Sequence, residues 1–204
     1  MSNDINDYAL MTFKLVRSAW AKFDCGREDI NNFFHNDVER NEAQMFGKTY
    51  AFCPAGDPDT IAGAITVANA SIFTRHISWR RRDVIGAEVG TEKAGQNFPA
   101  VLLGRLGVDY RYQHLHLGHQ IVDYVKAWFS SESNKSGCRF LIVDAYNEQR
   151  LIQFYEHCGL KLFFTTEEQE KKYRNIRDRE GEPPVKLETR LMFFDLINYN
   201  NGNI

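Results

Sequence analysis

Short apolar runs and longer periodic segments alternate along most of the chain. The runs predict strands over residues 10–16, 49–53, 60–68, 100–108, 140–143, 161–164 and 187–194. Apolar residues three and four positions apart predict helices over residues 29–34, 36–46 and 117–129. A further helix is expected after Asn147, which can cap it. Residues 72–98 show no clear period, and we expect an irregular excursion there.

The helix after Asn147 carries its large side chains on one side. Leu151, Phe154, Tyr155 and Cys158 share the face that we expect to be buried. His157 in the last turn and Gly159 just beyond it are typical of a helix end.

The order of elements in the centre of the chain is strand, helix, strand, helix, strand. Such an order with short connections predicts a right-handed βαβ crossover. An antiparallel hairpin is expected to precede it, turning at the residues Pro-Ala-Gly-Asp-Pro-Asp of 54–59. Together these features predict an α/β (α+β) fold, with a mixed sheet and helices on both faces. The 204 residues fit a single domain spanning residues 1–204.

Composition places the chain among ordinary soluble proteins, with 43% hydrophobic and 25% charged residues. No apolar run is long enough to span a bilayer, and residues 1–8 are polar and acidic, unlike a signal peptide. We therefore expect a cytoplasmic protein without a membrane partner. The four cysteines form no C-x-x-C pair, which predicts reduced and mostly buried thiols.

The formal net charge of −2 indicates that the domain as a whole lacks the positive electrostatic field that nucleic-acid-binding proteins use. Two local stretches are nevertheless basic, at residues 75–82 and 171–179. Runs of charge are usually solvated loops, and we expect the same for both stretches.

The chemistry is expected where the central strand runs through a turn into a helix, at residues 106–118. The start of a helix exposes unpaired backbone N–H groups and the positive end of the helix dipole, which suits a phosphate or pyrophosphate. His114, His116 and His119 lie in this turn without a recognised zinc spacing, so no metal is expected.

Two motifs in this region resemble those of the GNAT superfamily of N-acetyltransferases. Residues 103–118 are similar to motif A, with Val108-Asp109, Gln113 and Gly118 on the pattern and histidine at both intervening glycine positions. Residues 144–147 and 154–160 are similar to motif B. The resemblance implies acetyl-CoA as cosubstrate, an amine as acceptor, and a mostly antiparallel sheet containing a splayed parallel strand pair.

One branch of that superfamily matches further, across about residues 23–164. Phe-Asp-Cys-Gly at 23–26 and Leu-Gly-Arg-Leu-Gly-Val-Asp at 103–109 are similar to the acetyltransferase toxins of toxin–antitoxin pairs. Membership of this branch would imply acetylation of the α-amine of aminoacyl-tRNA, which blocks translation. It would also imply an antitoxin protein as partner and a homodimer.

The resemblance assigns roles to particular residues. Backbone groups near Leu106 and Val108 would bind the pantetheine arm, and the amides from Gln113 to Gly118 would hold the pyrophosphate. The whole expected coenzyme A set is Leu106, Gly107, Val108, Gln113, His114, Leu115, His116, Leu117, Gly118, His119, Asn147 and Phe154. Tyr155 is the expected catalytic residue, because a phenol can protonate the thiolate that leaves. The alternative is that Tyr155 is only a core aromatic beside Phe154.

Histidine at the two glycine positions leaves two outcomes open. A side chain at position 114 or 116 can crowd the phosphate, or its imidazole N–H can donate to a phosphate oxygen. If the side chains crowd the phosphate, the protein could instead have a function of another class, as a non-catalytic module that binds coenzyme A or a partner.

The acceptor is also open. Transfer to aminoacyl-tRNA needs a basic groove, for which Arg75, Arg80–Arg82 and Arg105 are candidates. A small amine or a protein N-terminus would need none. Glu88, Glu92 and Glu156 are candidate general bases, although each is also typical of an ordinary surface charge.

Overall fold

The computed structural model of the protein describes residues 4–73, 97–179, 181 and 183–200. The chain divides into two compact units, Met1–Asn69 with Leu103–Trp128, and Ala70–Leu102 with Phe129–Ile204. The single domain expected from the sequence stays a prediction.

Seven strands form the sheet in the order β1-β2-β3-β4-β5-β7-β6. They are β1 (Tyr8–Thr12), β2 (Lys48–Pro54), β3 (Gly63–Ile72), β4 (Phe98–Val108), β5 (Phe140–Tyr146), β6 (Lys161–Leu162) and β7 (Thr189–Asp195). The described α-helices are α1 (Glu28–Asn32), α2 (Val38–Ala43), α3 (Leu117–Ser130), α4 (Gln149–His157), α5 (Glu167–Tyr173) and α6 (Ile197–Asn200). The pairs β1–β2, β2–β3, β5–β7 and β6–β7 are antiparallel, and β4–β5 is parallel. The prediction of a mixed, mostly antiparallel sheet is confirmed.

The first unit joins the β2–β3 hairpin to α3. Buried Leu117, Ile121 and Val125 line one face of α3, at the spacing that the sequence predicted. Gly63 allows this helix to approach β3 closely, since a Cβ atom there would lie 2.5 Å from the Cδ1 atom of Ile121.

The second unit has an aromatic core that includes Phe98, Phe140, Phe163 and Phe193. Its parallel ladder is short, pairing Ala100–Leu102 of β4 with Phe140–Ile142 of β5. From Val143 to Tyr146, β5 is registered with β7 alone. The splayed parallel pair expected from the resemblance is therefore present.

Several element boundaries differ from the sequence prediction. The first strand ends at Thr12, and a 3-10 turn over Phe13–Val16 buries Phe13 and Val16 on one side because residues three apart eclipse in such a turn. The helices predicted over 29–34 and 36–46 are joined by a π-helical turn at Phe33–Asp37. The strand predicted over 161–164 stops at Leu162, since Phe163 and Phe164 are both buried in the core.

Two helices were missed near the C-terminus. The basic stretch 171–179 was expected to be a solvated loop, but α5 runs to Tyr173 and Lys171 is buried against Asp178. No element was predicted after residue 194, whereas α6 covers Ile197–Asn200. Of the irregular excursion predicted over 72–98, residues 74–96 lie outside the described residues.

Candidate active site

The loop after β4 is fixed by one buried carboxylate. Asp109 has 0% of its surface exposed, and its Oδ1 atom accepts from the Nε atom of Arg111 at 2.7 Å. Its Oδ2 atom accepts from the Nη2 atom of Arg111 at 3.0 Å and from the backbone N–H of Asp24 at 3.2 Å. Asp109 therefore ties the start of the loop to residues 23–26. The same hydrogen bonds raise the pKa of the Arg111 guanidinium.

Gln113 closes the other side of this loop. Its side-chain amide donates to the carbonyl oxygen of Cys25 at 2.9 Å and to that of Val108 at 3.0 Å. The side chain thus holds the end of β4 against residues 23–26. This bracing role was not foreseen from the sequence.

Gly107, expected in the coenzyme A set, has a packing role in the structure. A Cβ atom at this buried position would lie 3.0 Å from Phe23 Cζ and 3.3 Å from Ile30 Cγ2. Its neighbours Leu106 and Val108 are half-buried. Successive side chains of a strand point to opposite faces. The face of β4 that contains Gly107 is therefore tightly packed, while Leu106 and Val108 on the other face stay partly exposed.

The turn into α3 contains a residue in the left-handed conformation. A 3-10 turn covers Gln113–Leu115, His116 follows with φ 56°, and α3 starts at Leu117. Only glycine takes such a φ without a steric cost. Of the two expected glycine positions that carry histidine, it is therefore 116, and not 114, at which the fold itself favours glycine.

Changing His116 to glycine is expected to stabilise the fold by about 0.5–1 kcal/mol. Relief of the left-handed residue is worth about 1–2 kcal/mol, and the greater freedom of glycine in the unfolded chain removes about half of that. The matched change His114→Gly relieves nothing and should cost about 0.5–1 kcal/mol. Urea unfolding of the two variants checks the opposite signs; equal destabilisation by both would contradict this account of the turn.

The first turn of α3 offers backbone N–H groups to a ligand. The amides of His119 and Gln120 donate to the carbonyl of His116 at 3.1 and 3.4 Å. Among the hydrogen bonds of the described residues, none starts from the amides of Leu117 or Gly118, as expected for the first positions of a helix. The side chains of His114 and His116 are exposed and Leu115 is buried. Backbone donors are therefore available at the start of the 14-residue helix α3, and the anion site expected there stays a prediction.

Tyr155 lies in the last turn of α4, within the second unit. The helix ends in a Schellman motif, in which the amide of Leu160 donates to the carbonyl of Tyr155 at 3.0 Å and Gly159 has φ 79°. The ring of Phe154 meets that of Tyr155 edge-on, with centroids 5.0 Å apart. Burial raises the pKa of the Tyr155 phenol, with a smaller contribution from Cys158. The phenol therefore keeps its proton at neutral pH.

Asn147 does not cap α4, so that prediction is wrong. The N-cap residue is Glu148, whose side chain makes no capping hydrogen bond. The amide group of Asn147 instead donates to Glu167 at 2.8 Å and to the carbonyl of Leu187 at 2.9 Å. The hydrogen bond from Asn147 also lowers the pKa of Glu167. These bonds turn Asn147 away from the helix and towards α5.

A buried ion cluster beneath α5 was not foreseen. Glu170, with 0% of its surface exposed, accepts from Arg174 at 2.7 Å, from Arg190 at 2.7 Å and from the Leu191 amide at 2.7 Å. The four-residue spacing of Glu170 and Arg174 predicts an ion pair on a helix surface. Nothing in the local sequence signals that the carboxylate is buried.

Other candidate residues have simpler surroundings. Glu156 is exposed on α4, and the guanidinium of Arg105 lies over the ring of Phe33 at 5.1 Å. Arg75, Arg80–Arg82, Glu88 and Glu92 lie outside the described residues. All four cysteines are free, and burial raises the pKa of Cys53 to about 11. Within the described ranges, no group of histidine, cysteine or acidic residues could hold a metal, and no helix could cross a membrane.

No family model matches the sequence. Solved structures match it over almost its full length. AtaT complexed with acetyl-methionyl-tRNAfMet aligns with a TM-score of 0.68 and 18% identity, covering 97% of this chain and 100% of that one. A tyrosine-to-phenylalanine mutant of KacT aligns with a TM-score of 0.67 and 20% identity, covering 96% and 98%.

The chain has the fold of AtaT and KacT. A structure of AtaTR bound with AcCoA shares it too, with a TM-score of 0.63 and 19% identity over 98% of this chain and 99% of that one. The fold predicted from the GNAT-like motifs is therefore confirmed.

Proposed function

We propose that this protein is an N-acetyltransferase that moves an acetyl group from acetyl-CoA to the α-amine of aminoacyl-tRNA. The observation that carries the proposal is the turn into α3. There, after the end of β4, a left-handed residue precedes two helix-start amides that could donate to an anion. That turn lies where the GNAT resemblance implies that the pyrophosphate would bind.

Donor binding rests on the backbone of the first unit. The amides of Leu117 and Gly118 would donate to the pyrophosphate, and the dipole of α3 would add to the attraction. The exposed imidazoles of His114 and His116 would add further donors. Asp109 and Gln113 support this turn from behind, so it is organised before the ligand arrives.

Tyr155 would supply the proton that the reaction needs. When the amine attacks the thioester carbonyl, the carbon–sulfur bond breaks and a thiolate leaves. A neutral phenol can protonate that thiolate, and the raised pKa of Tyr155 keeps the phenol neutral. An α-amine with a pKa of about 8 is partly neutral at cellular pH, so a strong general base is not required.

The acceptor is proposed from the compared structures. AtaT has been solved with acetyl-methionyl-tRNAfMet, an acetylated aminoacyl-tRNA, and its fold covers nearly all of this chain. An antitoxin is proposed as partner for a similar reason, since another AtaT structure contains the C-terminus of the antitoxin AtaR. We also propose that the protein acts in the cytoplasm, as a homodimer.

The test of this function is transfer of label from radiolabelled acetyl-CoA. We expect label on aminoacyl-tRNA and none on the same tRNA after deacylation. Label on free amines or on protein N-termini, with none on charged tRNA, would support the small-amine or N-terminus acceptor instead. If titration calorimetry shows that acetyl-CoA binds but no amine is acetylated, the protein is the non-catalytic module and not an enzyme.

A further inference from the structure

Residues 4–8 lie beside the turn that leads into α3, and we call them the N-terminal strap. The strap contains a 3-10 turn, Ile5–Asp7, which is capped by the side chain of Asp4. The carbonyl of Asp7 accepts from the amide of Ala55 at 2.8 Å, which ties the strap to the end of β2. The strap and the turn before α3 belong to the same compact unit.

Two contacts join the strap to this turn, one on each side of it. The ring of Tyr8 meets the ring of Tyr112 edge-on, with centroids 6.2 Å apart, just before the 3-10 turn Gln113–Leu115. The backbone N–H of Ile5 donates to the Oε1 atom of Gln120 at 2.7 Å, in the first turn of α3. The strap therefore bridges the two ends of the segment that contains the proposed pyrophosphate donors.

The segment between these contacts needs support from outside. His116 has φ 56°, a conformation that side chains disfavour and that persists only where the surrounding structure holds it. The amide of Gln120 reaches the carbonyl of His116 at 3.4 Å, which is longer than an ordinary backbone hydrogen bond. Asp109 and Gln113 hold the start of the turn, and the bond from Ile5 to Gln120 holds its other end.

We propose that the N-terminal strap is a positioning element for the acetyl donor. It holds the left-handed turn in the conformation that presents the amides of Leu117 and Gly118 to the pyrophosphate of acetyl-CoA. This inference rests on the proposed function. Because the strap acts through the turn, it sets the affinity for the coenzyme and leaves the chemical step unchanged.

The change Ile5→Pro tests the strap by removing a single hydrogen-bond donor. Proline lacks the backbone N–H, and position 5 is the first of a helical turn after an extended residue, where proline is tolerated. Titration calorimetry should show acetyl-CoA binding about fivefold more weakly, as expected for one net hydrogen bond. Ile5→Ala keeps the N–H and should bind within about twofold of the unmodified protein. Unchanged affinity in Ile5→Pro, or equal losses in both variants, would overturn the proposal.

Gln120→Met removes the acceptor of the same bond and keeps the length of the side chain. It should also weaken acetyl-CoA binding about fivefold. The double variant Ile5→Pro/Gln120→Met should lose about fivefold and not about 25-fold, because both changes remove one bond. Gln44→Met, at an exposed position just after α2, is the matched control and should bind normally. A loss of about 25-fold in the double variant would contradict a shared role.

Acetyl-pantetheine separates support of the pyrophosphate turn from a general loss of structure. It carries the same thioester without the pyrophosphate, so Ile5→Pro should transfer its acetyl group with unchanged kcat/KM. With acetyl-CoA, the same variant should show a KM about fivefold higher and the same kcat. Equal losses with the two donors would mean that the whole site is disturbed, and the proposal would be wrong.

Glycine at position 116 tests why the turn needs the strap. Glycine takes a positive φ without steric cost, so it needs no outside support. In the His116→Gly background, Ile5→Pro should weaken acetyl-CoA binding by less than about twofold. A full fivefold loss in that background would overturn the claim that the strap holds the left-handed turn.

Failure of this inference can be told apart from failure of the proposed function. If the unmodified protein acetylates charged tRNA and Ile5→Pro binds acetyl-CoA normally, the strap is rejected and the function is kept. If Ile5→Pro weakens acetyl-CoA binding but charged tRNA is not acetylated, the function is rejected and the strap is kept. If the unmodified protein neither binds acetyl-CoA nor acetylates charged tRNA, both are wrong.

Discussion

Replacing Tyr155 by phenylalanine is expected to lower kcat for acetyl transfer by about 10²- to 10⁴-fold, the usual contribution of a well-placed general acid. The change removes one oxygen atom and keeps the ring that packs against Phe154. The Schellman motif that ends α4 uses the backbone of Tyr155, so the helix should be unaffected. Acetyl-CoA affinity, measured by titration calorimetry, should stay within about twofold because the pyrophosphate donors lie in another part of the chain.

Tyr50 provides the matched control for this experiment. It is another partly buried tyrosine whose pKa is raised by burial, and it belongs to the β2–β3 hairpin. Tyr50→Phe should leave kcat unchanged. A kcat for Tyr155→Phe within about threefold of the unmodified enzyme would contradict the assignment. The raised pKa adds a pH test, since loss of the acid form should appear only above pH of about 10, the ordinary value for tyrosine.

Removing the buried carboxylate of Glu170 is expected to have the largest effect on stability. Glu170→Ala leaves Arg190 buried without its charge partner and the Leu191 amide without its acceptor. Breaking a buried ion pair from one side costs about 3–5 kcal/mol. Urea unfolding measures this loss directly.

Glu168 is the control for that loss, because it lies exposed on the same helix. Glu168→Ala should change the free energy of unfolding by less than about 0.5 kcal/mol. A loss below about 1 kcal/mol in Glu170→Ala would show that water compensates the two arginines and that the cluster is not a fixed part of the fold.

The central strands and helices could be predicted because their patterns are unambiguous. The near-continuous apolar run of β5 indicates a strand buried on both faces, and the periodic apolar residues of α3 indicate a half-buried helix. The end of α4 was similarly clear, because Gly159 follows it as expected. Its buried face was not predicted correctly: the buried residue within α4 is Ile152, whereas Leu151, Phe154 and Tyr155 are half-buried.

The missed features depend on contacts with distant residues. The helix α5 has no apolar stripe, and it is held instead by Glu170 reaching Arg190 of β7. Asn147 looked like a helix cap from its position, but its side chain finds Glu167 and Leu187 far along the chain. Polar side chains with several partners in reach cannot be assigned from local sequence alone.

The two histidines in the turn show a third limit. The sequence has histidine in place of glycine at both positions 114 and 116. Nothing in the sequence shows which of the two positions needs glycine more. The structure separates them by backbone angle, because only His116 has a positive φ. Whether a glycine position needs glycine depends on the conformation of the turn, which residue types do not reveal.

The most direct test of the proposed function is to identify the product. After incubation of charged tRNA with acetyl-CoA and the enzyme, nuclease digestion releases the aminoacyl adenosine of the 3′ end for mass spectrometry. We predict an aminoacyl adenosine one acetyl group heavier, with fragmentation placing the acetyl on the α-amine. An unmodified aminoacyl adenosine, under conditions in which the enzyme consumes acetyl-CoA, would contradict aminoacyl-tRNA as the acceptor.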